Sequence, residues 1–200
     1  MIISNDIRFI SERPASVALG TFDGVHLGHR AVIGRAVELA KETGLASAVF
    51  AFSDLPKNAF LPPQKRVFPL CSFEEKARLI AELGVELLLA PPFSEELRAL
   101  PAERFVEDVL IRRLNAKHIV CGYDHRFGAG GMGDAELLMR VCRRDNVAVT
   151  VIPPVSIDGE RVSSTAIREA LKEGRVDRAE LMLGRKLTAI TDHGDSPLDR

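Results

Sequence analysis

Five apolar runs of strand length, separated by segments with helical spacing, constrain this chain more than any other feature. They are Ser16–Phe22, Leu45–Phe52, Val85–Ala90, His118–Cys121 and Val147–Ile152. A strand with one wet face alternates apolar and polar residues, whereas near-continuous apolar strands need cover on both sides. Between the first two runs, Val32, Ala36, Leu39 and Ala40 recur at helical spacing over 27–43, and Gly44 stops the helix. Ser72-Phe73-Glu74-Glu75 has the spacing of a capping box and predicts a helix to about Leu83, closed by Gly84. Further helices are expected over 101–115, with Pro101 in the first turn, and over 133–145. Another runs from Ser163 or Ser164 to Gly174, and a last one is opened by Asp177 with Glu180 and stopped by Gly184. Pro56, Pro62, Pro63 and Pro69 make 53–69 a loop. The alternation predicts an α/β chain, a doubly wound parallel sheet of about five strands with helices on both faces.

Composition matters here for what it excludes. At 46% hydrophobic and 28% charged, 200 residues can build a core without disulfides or a structural metal. Cys71, Cys121 and Cys142 are an odd, scattered set, neither a disulfide framework nor a zinc pattern, which suits a reducing cytoplasm. No apolar run reaches the roughly 20 residues of a membrane helix. The N-terminus lacks a basic start and apolar core, so no signal peptide is expected. A net charge of −1, no Trp and a single Tyr argue against a nucleic-acid partner and leave small molecules as the expected ligands.

The chemistry concentrates in Gly20-Thr21-Phe22-Asp23-Gly24-Val25-His26-Leu27-Gly28-His29, at the end of the first strand and the start of the first helix. In an open α/β sheet this carboxyl edge binds ligands. Glycines admit phosphate close to the backbone, and a helix N-terminus offers free N–H groups. His26 and His29, three apart around Gly28, can both donate to one phosphate group. No Cys or third His stands at a spacing that would make the pair a metal site, and the Gly-Lys-Ser/Thr of a P-loop is missing. A second segment, Arg161-Val162-Ser163-Ser164-Thr165-Ala166-Ile167-Arg168, places three hydroxyl residues at a helix start, with a planar cation one turn on.

Together the two segments resemble the HxGH nucleotidyltransferase superfamily, and more narrowly the adenylyltransferase domain of bacterial bifunctional riboflavin kinase/FAD synthetases. Gly20 to His29 match that family's G-x-F-D-G-x-H-x-G-H signature, and Val162 to Arg168 match its [IV]-S-S-T-x-I-R signature. Val120-Cys121-Gly122-Tyr123-Asp124-His125-Arg126-Phe127-Gly128 resembles its V-x-G-x-D-F-R-F-G element, with His125 in place of Phe. Ala51-Phe52-Ser53-Asp54-Leu55-Pro56 departs from its T-F-x-P-H-P, and the loop Ala129–Gly133 lacks the basic residue often found there.

The resemblance implies a Rossmann-like domain over 1–185 that moves AMP from ATP to FMN, giving FAD and pyrophosphate by direct in-line attack. It assigns Gly20, Thr21, Phe22, Asp23, Gly24, His26, Gly28 and His29 to the nucleotide. Ser163, Ser164, Thr165 and Arg168 fall on its β/γ-phosphates, with His26, His29 and Arg168 acting on the reaction. Phe60, Asp124 and Phe127 fall on the flavin side. Mg²⁺ is expected to arrive with ATP rather than on protein ligands. The family's kinase module, with its P-T-A-N element, is not found after Leu183-Gly184-Arg185, so 186–200 is read as a polar tail or truncated linker. Two other readings remain: a related transferase with another phosphate acceptor, and a non-catalytic nucleotide- or flavin-binding module.

Overall fold

A computed structural model describes residues 1–187. Six parallel strands form one sheet: β1 (Ile2–Ser4), β2 (Ala15–Leu19), β3 (Ala46–Phe50), β4 (Leu87–Leu89), β5 (Ala116–Gly122) and β6 (Ala148–Ile152), in the order β1-β4-β3-β2-β5-β6. The sheet has one strand more than the sequence predicts. The addition is β1, whose three residues pair with Leu87–Leu89 and are too few to carry a periodic signal.

Every residue of β2 and β3 is buried, as central strands covered on both sides must be. Successive side chains point to opposite faces, so two cores result. On one face Ala18, Val49, Leu88 and Val120 pack under α1 (Leu27–Thr43) and α2 (Phe73–Glu82). A short α-helical turn, α4 (Ala102–Arg104), is continued by a π-helical stretch, Phe105–Arg113. On the other face, Val17, Leu19, Phe50, Leu89 and Ile119 pack under α4 with its continuation and under α5 (Ala135–Arg144). A further helix, α3 (Glu95–Ala99), precedes α4. The winding changes face between β2 and β5, and the crevice at their carboxyl ends is the topological switch point.

A third core lies outside the two sheet faces. After the small hairpin β7 (Ser156–Ile157) and β8 (Glu160–Arg161) come α6 (Ser164–Lys172) and α7 (Val176–Leu183). Their Ile167, Ala170, Ala179, Met182 and Leu183 enclose Leu70, with Leu27 at the edge. This cluster docks the α6–α7 pair against the start of α1.

The capping boxes divide. Ser72 Oγ accepts the N–H of Glu75 at 3.1 Å, as its spacing predicts. Asp177 does not cap: α7 starts one residue earlier, and Arg175 at its cap contributes no side-chain bond. The first strand ends at Leu19, short of the predicted Phe22, because Phe22 turns left-handed. The loop 53–69 holds only two 3₁₀ turns, Pro56–Phe60 and Pro63–Lys65. It is closed at its neck by Asn58, whose amide accepts from the N–H of Val67 at 3.0 Å and donates to its carbonyl at 2.8 Å. Of the predicted tail, Lys186 and Leu187 bond to Glu180, and residues 188–200 lie outside the described residues. Among the described residues no helix is long and apolar enough to cross a membrane.

Candidate functional site

The loop from Gly20 to Val25 leaves β2 at the switch point under backbone strain. Phe22 (φ 51°), Gly24 (φ 77°) and Val25 (φ 42°) are all left-handed. Glycine tolerates this, whereas a β-branched valine there costs on the order of 1–3 kcal/mol. Several contacts hold the loop. Asp23 pairs through Oδ2 with Arg168, while its Oδ1 accepts the N–H of Leu70 at 2.9 Å. Ser164 Oγ donates to the Asp23 carbonyl at 3.1 Å, and Arg185 Nη1 donates to the Gly24 carbonyl at 2.8 Å.

The loop delivers His26 to the N-cap of α1, where its Nδ1 accepts the N–H of His29 at 3.3 Å. The two imidazoles stack, with centroids 3.5 Å apart and planes 18° apart. Phe22 meets His29 edge-on at 5.4 Å. Gly28 makes the stack possible: a Cβ there would lie 3.2 Å from His26 Cε1. Gly20 leaves room for the Phe22 ring in the same way, since a Cβ would lie 2.8 Å from it.

Burial disfavours charge on both rings. His26 is lowered to about 4, first by desolvation and then by the positive charge of Arg161. His29 is held well below its ordinary value by desolvation, then by His26 and Lys76. Both are therefore neutral at pH 7. Because His26 Nδ1 accepts, the proton of that ring sits on Nε2, which becomes a donor. His29 Nδ1 is buried without a partner.

The N-terminus of α6 converges on the same point. Ser163 caps it, accepting the N–H of Ala166 at 3.1 Å, and the neighbouring Val162 carbonyl lies 3.8 Å from where a Gly28 Cβ would stand. Thr165 is exposed. Two helix N-termini and two imidazoles thus face one small region, a ready site for a polyphosphate.

Several expected residues stand elsewhere than the sequence suggests. The Asp23 carboxylate turns inward to Arg168 and Leu70 rather than outward to a nucleotide. All three nitrogens of Arg168 donate within the protein: to Asp23, to the Phe68 carbonyl at 2.8 and 3.0 Å, and to the Ser164 carbonyl at 3.3 Å. Phe22 is buried beneath His29, while Thr21 is exposed. Phe127 belongs to the core, packed on Phe105 and so tight against Gly133 that a Cβ there would lie 2.5 Å from its ring. Asp124 pairs with Arg161, whose guanidinium lies 4.9 Å over the Tyr123 ring. Phe60 is exposed, with the Arg98 guanidinium 5.0 Å over its ring.

Sequence reasoning missed the aromatic chain that connects these ends. Ring contacts of 5.0 to 5.9 Å run Phe60–Phe93–Phe52–Phe50–Phe105–Phe127–His125 along the carboxyl edge. Lys76 was missed as well, and Arg161 and Arg185 were given no role, although Arg161 opens the second segment and Arg185 closes Leu183-Gly184-Arg185. Among the described residues no group of three or more His, Cys, Asp or Glu could hold a metal ion.

An open parallel sheet wound on both faces, with a histidine pair around Gly28 at its switch point, defines a Rossmann-like α/β domain. The sequence profile of one family, FAD synthetase, matches residues 9–166, and the chain belongs to that family. A bifunctional riboflavin kinase/FMN adenylyltransferase of Listeria monocytogenes is 35% identical over 181 residues, 90% of this chain and 57% of the relative. Its Escherichia coli counterpart is 34% identical, over 98% of this chain and 64% of the relative. A Listeria monocytogenes FAD synthetase is 33% identical over 92% and 74%. The chain thus spans about three-fifths of the length of the bifunctional relatives it matches first. A crystal structure described as a macrolide-efflux protein from Streptococcus pneumoniae superposes with a TM-score of 0.81 at 32% identity, over 92% of this chain and 60% of that one. A pantothenate synthetase from Thermus thermophilus shares the fold at 18% identity, with a TM-score of 0.54, over 92% and 81%.

Two outcomes follow from the geometry. Asp23→Ala leaves Arg168 without its carboxylate and should destabilise by about 3 kcal/mol or more. Arg168→Ala should cost a similar amount, and the double variant clearly less than the sum, as read by urea unfolding. Strict additivity would mean that the pair does not hold the loop. The second outcome concerns pH. His26 and His125 are both lowered from 6.5 to about 4, the latter chiefly by burial. Between these values the unfolded chain binds more protons than the folded one. Stability should therefore be complete above about pH 6.5 and fall as pH drops toward 4. His125→Phe should flatten that slope in denaturation curves at pH 7 and 4.5, and an unchanged slope would show that His125 is not held neutral.

Proposed function

We propose that this chain transfers the AMP of ATP to the phosphate of FMN, releasing pyrophosphate and forming FAD. The observation that carries the reading is the stacked His26–His29 pair at the N-terminus of α1, facing the N-terminus of α6. Membership of the FAD synthetase family and the names of the relatives support the choice of acceptor.

No side-chain nucleophile is needed. A phosphate oxygen of FMN attacks the α-phosphorus of ATP as the bond to pyrophosphate breaks. Catalysis is then positioning plus neutralisation of the charge that builds on the transferred and departing oxygens. His26 and His29 donate to the α- and β-phosphate oxygens, and the N–H groups at the start of α6, with Ser163, Ser164 and Thr165, hold the β/γ end. Gly20, Gly24 and Gly28 shape the floor by making room for Phe22, Leu70 and His26, and the exposed Thr21 borders the nucleotide. Arg168 acts through Asp23 and Ser164, fixing the loop and α6 relative to each other, and sits beside the same phosphates. Asp124 and Phe60 suit the flavin side, with Phe127 behind them in the core. Mg²⁺ would enter with the ATP substrate and would neutralise charge on its phosphates.

Incubation with ATP, Mg²⁺ and FMN should yield FAD by chromatography, and chelation should stop it. ATP binding without FAD formation would favour a binding module, and turnover of another phosphate ester in place of FMN would favour a different acceptor. His29→Ala should slow turnover by roughly 100-fold, about 3 kcal/mol, with ATP affinity weakened less because the contact strengthens as charge develops. An unchanged turnover number in folded variant protein would remove His29 from the reaction.

A further inference from the structure

Leu183-Gly184-Arg185, the segment that ends α7, has no part in the proposed reaction, yet it runs along the flank of the histidine loop. Gly184, left-handed at φ 67°, lies so close to Leu27 that a Cβ there would stand 2.5 Å from Leu27 Cδ2. Its carbonyl accepts from Arg30 Nη1 at 3.4 Å. Leu27 and Arg30 belong to the first turn of α1, the turn that carries His29. One residue on, Arg185 Nη1 donates to the Gly24 carbonyl at 2.8 Å. Its Nε lies 3.5 Å from Glu75 Oε1, in the first turn of α2, and the two side chains of this pair are only 15% and 21% exposed. The guanidinium thus has a carbonyl on one side and a carboxylate on the other, which suits a planar fork.

The Gly24 carbonyl matters because of the peptide it belongs to. The Gly24–Val25 peptide joins two left-handed residues, φ 77° and φ 42°. The unit is rigid, so its freedom is rotation as a plane, through ψ of Gly24 and φ of Val25. Such a rotation would release Val25 from a conformation that strains a β-branched residue. Both ends of the plane are tied. The Val25 N–H donates to the Phe22 carbonyl at 3.2 Å, and the Gly24 carbonyl is held by Arg185. With the plane fixed, the chain enters the N-cap of α1 at His26 in the orientation that stacks it on His29. The Asp23–Arg168 pair acts on a side chain one residue earlier and does not touch this plane. We propose that Arg185 is a positioning residue for the transfer reaction, clamping the Gly24–Val25 peptide so that His26 and His29 keep their stacked arrangement. This rests on the transferase reading above. Arg185 acts through Gly24 and is assigned no contact with substrate.

The test separates positioning from stability. Arg185→Met and Arg185→Lys are made in the full chain, with Lys186→Ala, which loses only an exposed ammonium paired with Glu180, as the control. Urea midpoints, kcat and KM for FAD formation, and the NMR titration of the His26 imidazole are read on each. In Arg185→Met kcat should fall at least about tenfold and the KM values for ATP and FMN rise less, because misplaced donors lose most in the transition state. Arg185→Lys keeps one cationic donor and should recover part of the loss. The His26 midpoint lies at about 4 through burial and the charge of Arg161, opposed by Asp124. It should move up toward the ordinary value as the released turn admits water to the ring stacked on His29. Lys186→Ala should match wild type in kcat and in the His26 titration. If the arginine variants lower the urea midpoint but leave kcat and the His26 titration unchanged, Arg185 is a structural tie and the proposal fails. It fails equally if KM rises at constant kcat. Should Arg185→Met not fold, the lysine variant decides by the same two readouts. Wild type that forms no FAD, with the His26 midpoint still displaced in the variants, would sink the transferase reading and leave the clamp on the loop standing.

Discussion

The site depends on one ion pair, Asp23 with Arg168. The loop that carries the histidines cannot rest on its own backbone preferences, because Phe22 and Val25 are left-handed without being glycine. Something outside the loop must over-determine it. Asp23, 5% exposed, faces a guanidinium whose other donors go to the Phe68 and Ser164 carbonyls. A single planar cation therefore joins the strained loop, the start of α6 and the base of the 53–69 loop. Fork geometry matters here, because the guanidinium spreads its donors over a fixed plane, whereas a lysine ammonium is a compact point charge.

The rest of the site follows from that fixation. With the loop held, His26 reaches the N-cap of α1, Gly28 admits its ring, and Phe22 supports His29 from beneath. Burial then keeps both imidazoles neutral, so they donate hydrogen bonds without carrying a standing charge. On the proposed reading, approach of a polyphosphate would favour protonation of groups held this way, and the histidines would strengthen their hold as negative charge builds on the leaving oxygens.

Much of this was legible in the sequence. The five long apolar runs fixed the fold class because β2 and β3 really are buried on both faces, and Gly20, Gly28 and the histidine pair announced the switch-point loop. β1 was not legible, since three residues at a sheet edge, two of them exposed, carry no period. The inward turn of Asp23 was hidden for a different reason. Its partners Leu70 and Arg168 lie far along the chain, and spacing within a motif says nothing about which way a carboxylate points. The packing of Phe127 on Phe105 was hidden on the same ground, because Phe105 lies outside the motif that carries Phe127. Lys76 was invisible because a lysine four residues into a helix ordinarily lies in solvent.

The neck of the 53–69 loop bears on how the molecule breathes. Asn58 grips both backbone groups of Val67, and Arg168 grips the Phe68 carbonyl just beyond. Within the loop there are no strands and only short 3₁₀ turns, so its order comes from its closure more than from its contents. Closure entropy grows only logarithmically with length, and a loop tied at its base opens as a unit once the tie is released. Amide hydrogens between Asn58 and Val67 should accordingly exchange together, at a free energy well below that of the sheet. Such exchange would mark this loop as a unit that opens apart from the sheet, beside a histidine loop held in place.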